Sequence, residues 1–175
     1  MKIIIIGCPG AGKSMLTNRI NEFLRYPVMH LDKVYHTGGK AHITREELIN
    51  KVNYFANRYD NWIIDGNYIS TLEMRVKLAD TIILLNIQCE ICLINAYNRA
   101  EEYIKQGINR DGMAEGFDWT ITEEFVNYIK NFEKDAIPKI KDILKNYTDK
   151  KVKVLSNYKE LEEFIDCFKK EYNKI

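Results

Sequence analysis

The sequence is short of proline, histidine and arginine, with three, three and seven among 175 residues. Prolines at 9, 27 and 138 are too scattered for a linker between domains, so one domain over 1–175 is expected. Because the basic residues are mostly lysine, each arginine becomes a candidate for a specific contact with phosphate. No apolar run approaches the ~18 residues of a membrane span, and Ile3 to Ile6 is too short for a signal-peptide core. Four cysteines without a secretory signal predict reduced thiols and a cytoplasmic location. Neither sign of charge dominates: 26 Lys+Arg against 25 Asp+Glu leave +1. A dedicated DNA-binding domain usually carries a basic excess, so direct DNA binding is not expected.

What is present is enough apolar residue, 46%, to build a sizeable core. Short apolar runs alternate with stretches of helical period, the pattern of an α/β fold. Five runs read as strands: Ile3 to Ile6, Val28 to Leu31, Trp62 to Ile64, Thr81 to Ile87 and Val152 to Leu155. Between them Thr44 and Glu47 form a capping box, Ser70 and Glu73 could cap a short helix, and Thr120 and Glu123 open a long one. Pro138 should kink that long helix. The stripe Ile91, Ile94, Tyr97 and Ile104 predicts a further helix with those residues inward. Every glycine follows the carboxyl end of a strand or lies between 105 and 118. That is the edge where open α/β sheets bind ligands.

Gly7-Cys8-Pro9-Gly10-Ala11-Gly12-Lys13-Ser14 matches G-x-x-x-x-G-K-[ST] between a buried strand and an amphipathic helix. Glycines let successive N–H groups converge on phosphate oxygens, and the helix start adds its positive dipole end. Lys13 supplies charge for the β- and γ-phosphates, and Ser14 a hydroxyl for Mg²⁺. Gly7, Pro9, Gly10, Ala11, Gly12, Lys13 and Ser14 are therefore the expected ATP-binding residues. A GTPase would need Asn-Lys-x-Asp, which is missing; Asn146-Tyr147-Thr148-Asp149 lacks the lysine. A small kinase remains, with its acceptor opposite the P-loop.

Asp32 and Asp65 each end a strand. A carboxylate there can hold Mg²⁺, directly or through water, or orient a hydroxyl nucleophile. Apolar residues before Asp65 make it the better metal candidate beside Ser14, which leaves Asp32 as general base on the acceptor side.

The chain resembles the DNA topology modulation proteins, within the adenylate-kinase-like P-loop kinases. The resemblance is carried by Ile5 to Ser14, His30-Leu31-Asp32-Lys33, Trp62-Ile63-Ile64-Asp65-Gly66-Asn67-Tyr68, Thr71-Leu72, Arg75, Ala79-Asp80-Thr81, Met113-Ala114-Glu115-Gly116 and Asn131-Phe132. It implies ATP binding and a P-loop NTPase fold with a five-stranded parallel sheet in the order 2-3-1-4-5. It also implies a short lid over about 105–118. Asn67 and Arg75, with Asp32 and Asp65, would then face the acceptor, and Arg99 and Arg110 would be lid arginines steadying charge on the transferring phosphoryl group. Phe117 stands where such proteins suggest cysteine. Glu133 to Lys139 replaces an arginine-rich stretch, and lysine cannot reproduce arginine's bidentate fork.

The expected activity is transfer of the ATP γ-phosphoryl group to a small acceptor: a nucleoside, a nucleotide or another metabolite. The alternatives are an ATP-binding regulator with weak hydrolysis that influences DNA topology indirectly, and a nucleotide-binding protein with a decayed lid. Nothing in the sequence decides between monomer and dimer. Cys89-x-x-Cys92 lacks the further ligands zinc needs and reads as core.

Overall fold

Four consecutive isoleucines, Ile3 to Ile6, are completely buried, because β1 (Lys2–Gly7) is the middle strand of a sheet covered on both faces. The computed structural model describes residues 1–107 and 112–172. The other parallel strands are β2 (Val28–His30), β3 (Trp62–Asp65), β4 (Thr81–Leu85) and β5 (Lys151–Leu155). Their order is β2-β3-β1-β4-β5, as the resemblance implied. Register sets His30 beside Asp65 and Gly7 beside Leu85, so these strands finish together at one edge.

The flanking helices are α1 (Lys13–Leu24), α2 (Leu31–Tyr35), α3 (Arg45–Arg58), α4 (Leu72–Leu78), α5 (Cys89–Gln106), α6 (Glu123–Asp135), α7 (Ile137–Lys145) and α8 (Tyr158–Tyr172). Among the described residues no helix is long and apolar enough to cross a membrane. The Thr44–Glu47 capping box forms at the start of α3. An antiparallel hairpin, His36–Gly38 with Ala41–His42, stands off the main sheet where only a glycine loop was expected.

Four local expectations are corrected. Ser70 does not cap α4: Ile69–Thr71 is a 3₁₀ turn, and the Ser70 carbonyl accepts from Arg45 Nη2 at 3.0 Å. Thr122, not Thr120, caps α6, because the Thr120 N–H is already held by Asp118 Oδ1 at 2.9 Å. Pro138 sits in the first turn of a separate helix, α7, where its missing N–H costs nothing. On α5 the inward face is Cys92, Ala96 and Ala100, while Ile94 and Ile104 are 59% and 75% exposed. The reason is close packing. A β-carbon placed on Gly10 would lie 2.1 Å from the Cys92 carbonyl oxygen, so only small residues fit where α5 meets the loop after β1.

Candidate active site

A cavity of about 1120 Å³ lies beyond the ends of β1, β2 and β3. One wall is the loop after β1. Pro9, Gly10, Gly12, Lys13 and Ser14 line it, while Ala11 is fully buried behind them. The loop is held by its own backbone: the Cys8 carbonyl accepts from Ala11 N–H at 3.1 Å and from Lys13 Nζ at 3.0 Å. Gly10 and Gly12 take positive φ (83° and 95°), and Gly12 heads α1 with no side-chain cap. The first-turn N–H groups of α1 are thereby left for an anion. Asn95 on α5 braces the loop, its Nδ2 donating to the Gly10 carbonyl at 2.8 Å and to Tyr158 Oη at 2.6 Å. A hydrogen bond with Cys92, then burial, holds the Cys8 thiol far above the usual range, so it stays protonated and inert.

The facing wall is made of side chains. Asp32 lies on α2, and its Oδ1 accepts from Tyr68 Oη at 2.8 Å. Burial, and then the Asp32 charge, push the Tyr68 hydroxyl upward, which fixes it as a donor. Asn67 Nδ2 donates to Tyr128 Oη at 3.3 Å. Both pairs line the cavity. Residues 112–119 cross the same space and join the hairpin. Gly39 N–H donates to the Gly116 carbonyl at 2.7 Å, and Phe117 packs edge-on against His36 with centroids 4.8 Å apart. Gly112 passes so near β2 that a β-carbon there would sit 3.0 Å from His30 Nδ1.

Two expected residues are placed differently. Asp65 is 2% exposed and does not line the cavity. Its Oδ2 accepts from Thr17 Oγ1 at 3.1 Å and from His30 Nδ1 at 2.9 Å, tying α1 to β2. It stands one layer behind Ser14, which does line the cavity. Arg75 is completely buried and turned away. Its guanidinium donates to Thr71 Oγ1 (3.1 Å), the Gly66 carbonyl (2.9 Å) and the Tyr68 carbonyl (2.8 Å). Burial pulls it down to about 9 against the opposing Asp65 carboxylate, which leaves it a cation at neutral pH. Arg75 therefore shapes the turn after β3 and does not reach a ligand. Arg99, on α5, lines the cavity; Arg110 lies outside the described residues.

Thr17, Asn95, Tyr128 and Tyr158 were not anticipated. Thr17 carried a usable signal, since it lies four residues after Lys13 and so one helical turn above it, toward the sheet. The other three carried none, because their partners are 61 to 85 residues away.

The loop after β1 faces Asp32 across one cavity, and the fold that sets them there is shared with solved structures. The chain is similar to a shikimate kinase from Acinetobacter baumannii in complex with shikimate (TM-score 0.60, 14% identity, 95% of this chain and 89% of that one). It is also similar to a deoxyadenosine kinase from M. mycoides with bound dATP (0.54, 16%, 99% and 100%). A third is the shikimate kinase of Bacteroides thetaiotaomicron (0.54, 16%, 97% and 96%). The fold is that of the P-loop kinases. No family model matches the sequence, and neither does any curated protein.

Proposed function

We propose that this chain is an ATP-dependent phosphotransferase that moves the γ-phosphoryl group to a hydroxyl of a small acceptor. The observation that carries the reading is the shared cavity: Lys13 and Ser14 on one wall, Asp32 on the other. The loop N–H groups would cradle the phosphates, and Lys13 would exchange the Cys8 carbonyl for phosphate oxygens. Asp32 keeps Oδ1 on Tyr68, and Oδ2 would take the proton of the attacking hydroxyl. Arg99, with Arg110, would neutralise charge on the transferring group, and residues 105–118 would form the lid of this single domain.

The residues fit Mg²⁺ that arrives with the nucleotide. Among the described residues no group of three histidines, cysteines or carboxylates could hold a metal by itself. Mg²⁺ prefers phosphate oxygens and water with one or two protein ligands, and Ser14 would supply one. Bound there, Mg²⁺ would neutralise phosphate charge. Asp65 would act on that shell from behind, by fixing α1 through Thr17.

The resemblance to the DNA topology modulation proteins implies this same kinase-like fold. An ATP-binding regulator of DNA topology gains no support from the neighbours, so that reading is not carried further. Four unbridged cysteines suit a reducing, cytoplasmic setting.

An ADP-release screen over nucleosides, nucleotides and small hydroxy acids tests the reading. The best acceptor should raise ADP release well above background hydrolysis, and Asp32→Asn should cut that increment by ~10²-fold or more while Mg·ATP still binds. Failure of Mg·ATP to bind the wild-type chain would sink the assignment.

A further inference from the structure

We propose that the acceptor is a nucleoside: an uncharged planar base carrying a sugar hydroxyl. The inference rests on the kinase reading and narrows it.

Charge comes first. Among the described residues the cations that line the cavity are Lys13, Arg19 and Arg99, all on α1 or α5. The facing wall has Asp32 and Asp118 and no lining cation. Arg75 is locked onto the Gly66 and Tyr68 carbonyls, and Lys40 reaches Asp118 only at 3.9 Å from an exposed position. Phosphomonoesters and carboxylates are recognised by arginine forks or lysine charges. Here such a group would meet Asp32 with no lining cation among the described residues of that wall. The wall selects a neutral acceptor.

Shape comes second. Tyr68, Phe117, Trp119, Phe125 and Tyr128 line the cavity. Phe117 is held edge-on between His36 (4.8 Å) and Trp119 (5.2 Å), so the rings stand at fixed angles. Aromatic walls of this kind stack flat bases; a polyol or hydroxy acid would leave them without a partner.

Unmet hydrogen bonds come third. Asn67 and Trp119 are each 9% exposed and line the cavity, yet Asn67 Oδ1 and Trp119 Nε1 have no hydrogen-bond partner. Buried polar groups are rarely left unpaired. Both atoms are covered here, so each meets a ligand only when its side chain turns; one is then an acceptor and the other a donor, and the edge of a nucleobase offers the complement of both. In the reaction the sugar hydroxyl oxygen forms a bond to the γ-phosphorus. The bond from that phosphorus to the β,γ-bridging oxygen breaks, ADP leaves with its electron pair, and the hydroxyl proton passes to Asp32 Oδ2 and then to water.

The test is ADP release at fixed Mg·ATP with ribo- and deoxyribonucleosides, their 5′-monophosphates, and shikimate as a cyclic hydroxy acid. Calorimetry with Mg·ATP and thermal-shift protection by nucleosides run alongside. At least one nucleoside should exceed its own monophosphate and the hydroxy acid by ~100-fold in kcat/KM, because a mismatched charge is rejected more strongly than a missing methylene. Asn67→Ala and Phe117→Leu should each raise the nucleoside KM about tenfold more than the KM for ATP. Preference for a monophosphate or hydroxy acid would overturn the nucleoside assignment and leave the kinase reading standing. So would Mg·ATP binding with neither turnover nor thermal protection by any nucleoside, a result independent of how the variants fold. Absence of Mg·ATP binding would overturn the kinase reading, and this inference with it.

Discussion

The two walls of the cavity are built in different ways. The P-loop wall comes from one stretch, residues 7–14, and its shape is set by backbone: carbonyl Cys8 gathering Ala11 and Lys13, Gly10 pressed onto α5. The facing wall draws on α2, the turn after β3, residues 112–122 and α6, and its surface is side chain. A wall shaped by backbone presents N–H groups and a dipole, with Lys13 adding a charge, a set that suits phosphate. A side-chain wall can be retuned one residue at a time, which suits selection of an acceptor. Asp65 sits between them, bonded to Thr17 of α1 and to His30 of β2.

The largest expected effect tests the backbone wall. Lys13→Ala removes the charge opposite the phosphates, so phosphoryl transfer should fall by ~10³-fold. Its hydrogen bond is a partly buried one to the Cys8 carbonyl, so the melting temperature should move by no more than about 2 °C. Turnover and thermal unfolding on the same preparation check both halves. Transfer kept within tenfold would show that phosphate does not sit on that wall.

Next comes the support of the side-chain wall. Arg75→Met keeps the volume but strips donors from the Gly66 and Tyr68 carbonyls and from Thr71. The Tyr68 carbonyl keeps the Thr71 N–H and Oγ1 as donors, so the loss is three hydrogen bonds at ~1 kcal/mol each, about 3 kcal/mol in all. For a chain of this size that lowers the melting temperature by ~6–12 °C. Acceptor turnover should suffer more than Mg·ATP affinity, because the displaced turn carries Asn67 and Tyr68. An undiminished melting temperature would mean Arg75 is not what holds the turn.

A smaller effect is expected where the walls meet. In Asp65→Asn the amide oxygen can still accept from Thr17, but the pairing with His30 is weakened. Background ATPase and acceptor-dependent transfer should then fall together, each by about tenfold. That contrasts with Asp32→Asn, where the loss is concentrated in transfer. If Asp65→Asn spared hydrolysis and reduced transfer alone, Asp65 would belong to the acceptor wall.

The same contrast explains what could be read from the sequence. Consecutive residues make the P-loop, so its motif, the buried strand before it and the helix after it are visible without coordinates. The parallel strands were equally plain, because runs such as Ile3 to Ile6 have no other home. The facing wall is made by pairs 36 and 61 residues apart, Asp32–Tyr68 and Asn67–Tyr128, and no local pattern records them. Arg75 was misjudged because an arginine in a kinase-like sequence suggests a ligand, whereas only the fold shows three protein oxygens already around it. The face of α5 was misjudged for a related reason: size normally marks the inward side, but closeness to Gly10 demanded small residues there.

The mildest prediction concerns pH and separates the walls without a mutation. His36 lines the cavity and meets Phe117 edge-on. Burial lowers its pKa from the ordinary histidine value; Asp32 pulls it back up and His42 pushes it further down. A histidine whose folded pKa is depressed favours the neutral ring in the folded protein. The contact's contribution is therefore complete above the unfolded value of about 6.5 and is lost as pH falls through the lower folded value. The acceptor KM should accordingly rise a few-fold as pH falls through that lower folded value, while Mg·ATP affinity should follow only the titration of the phosphates. His36→Asn removes the titrating ring and should flatten the acceptor profile. Measuring both KM values from pH 5.5 to 8 in wild type and variant decides it. An acceptor profile identical in the two proteins would show that His36 does not report on that wall.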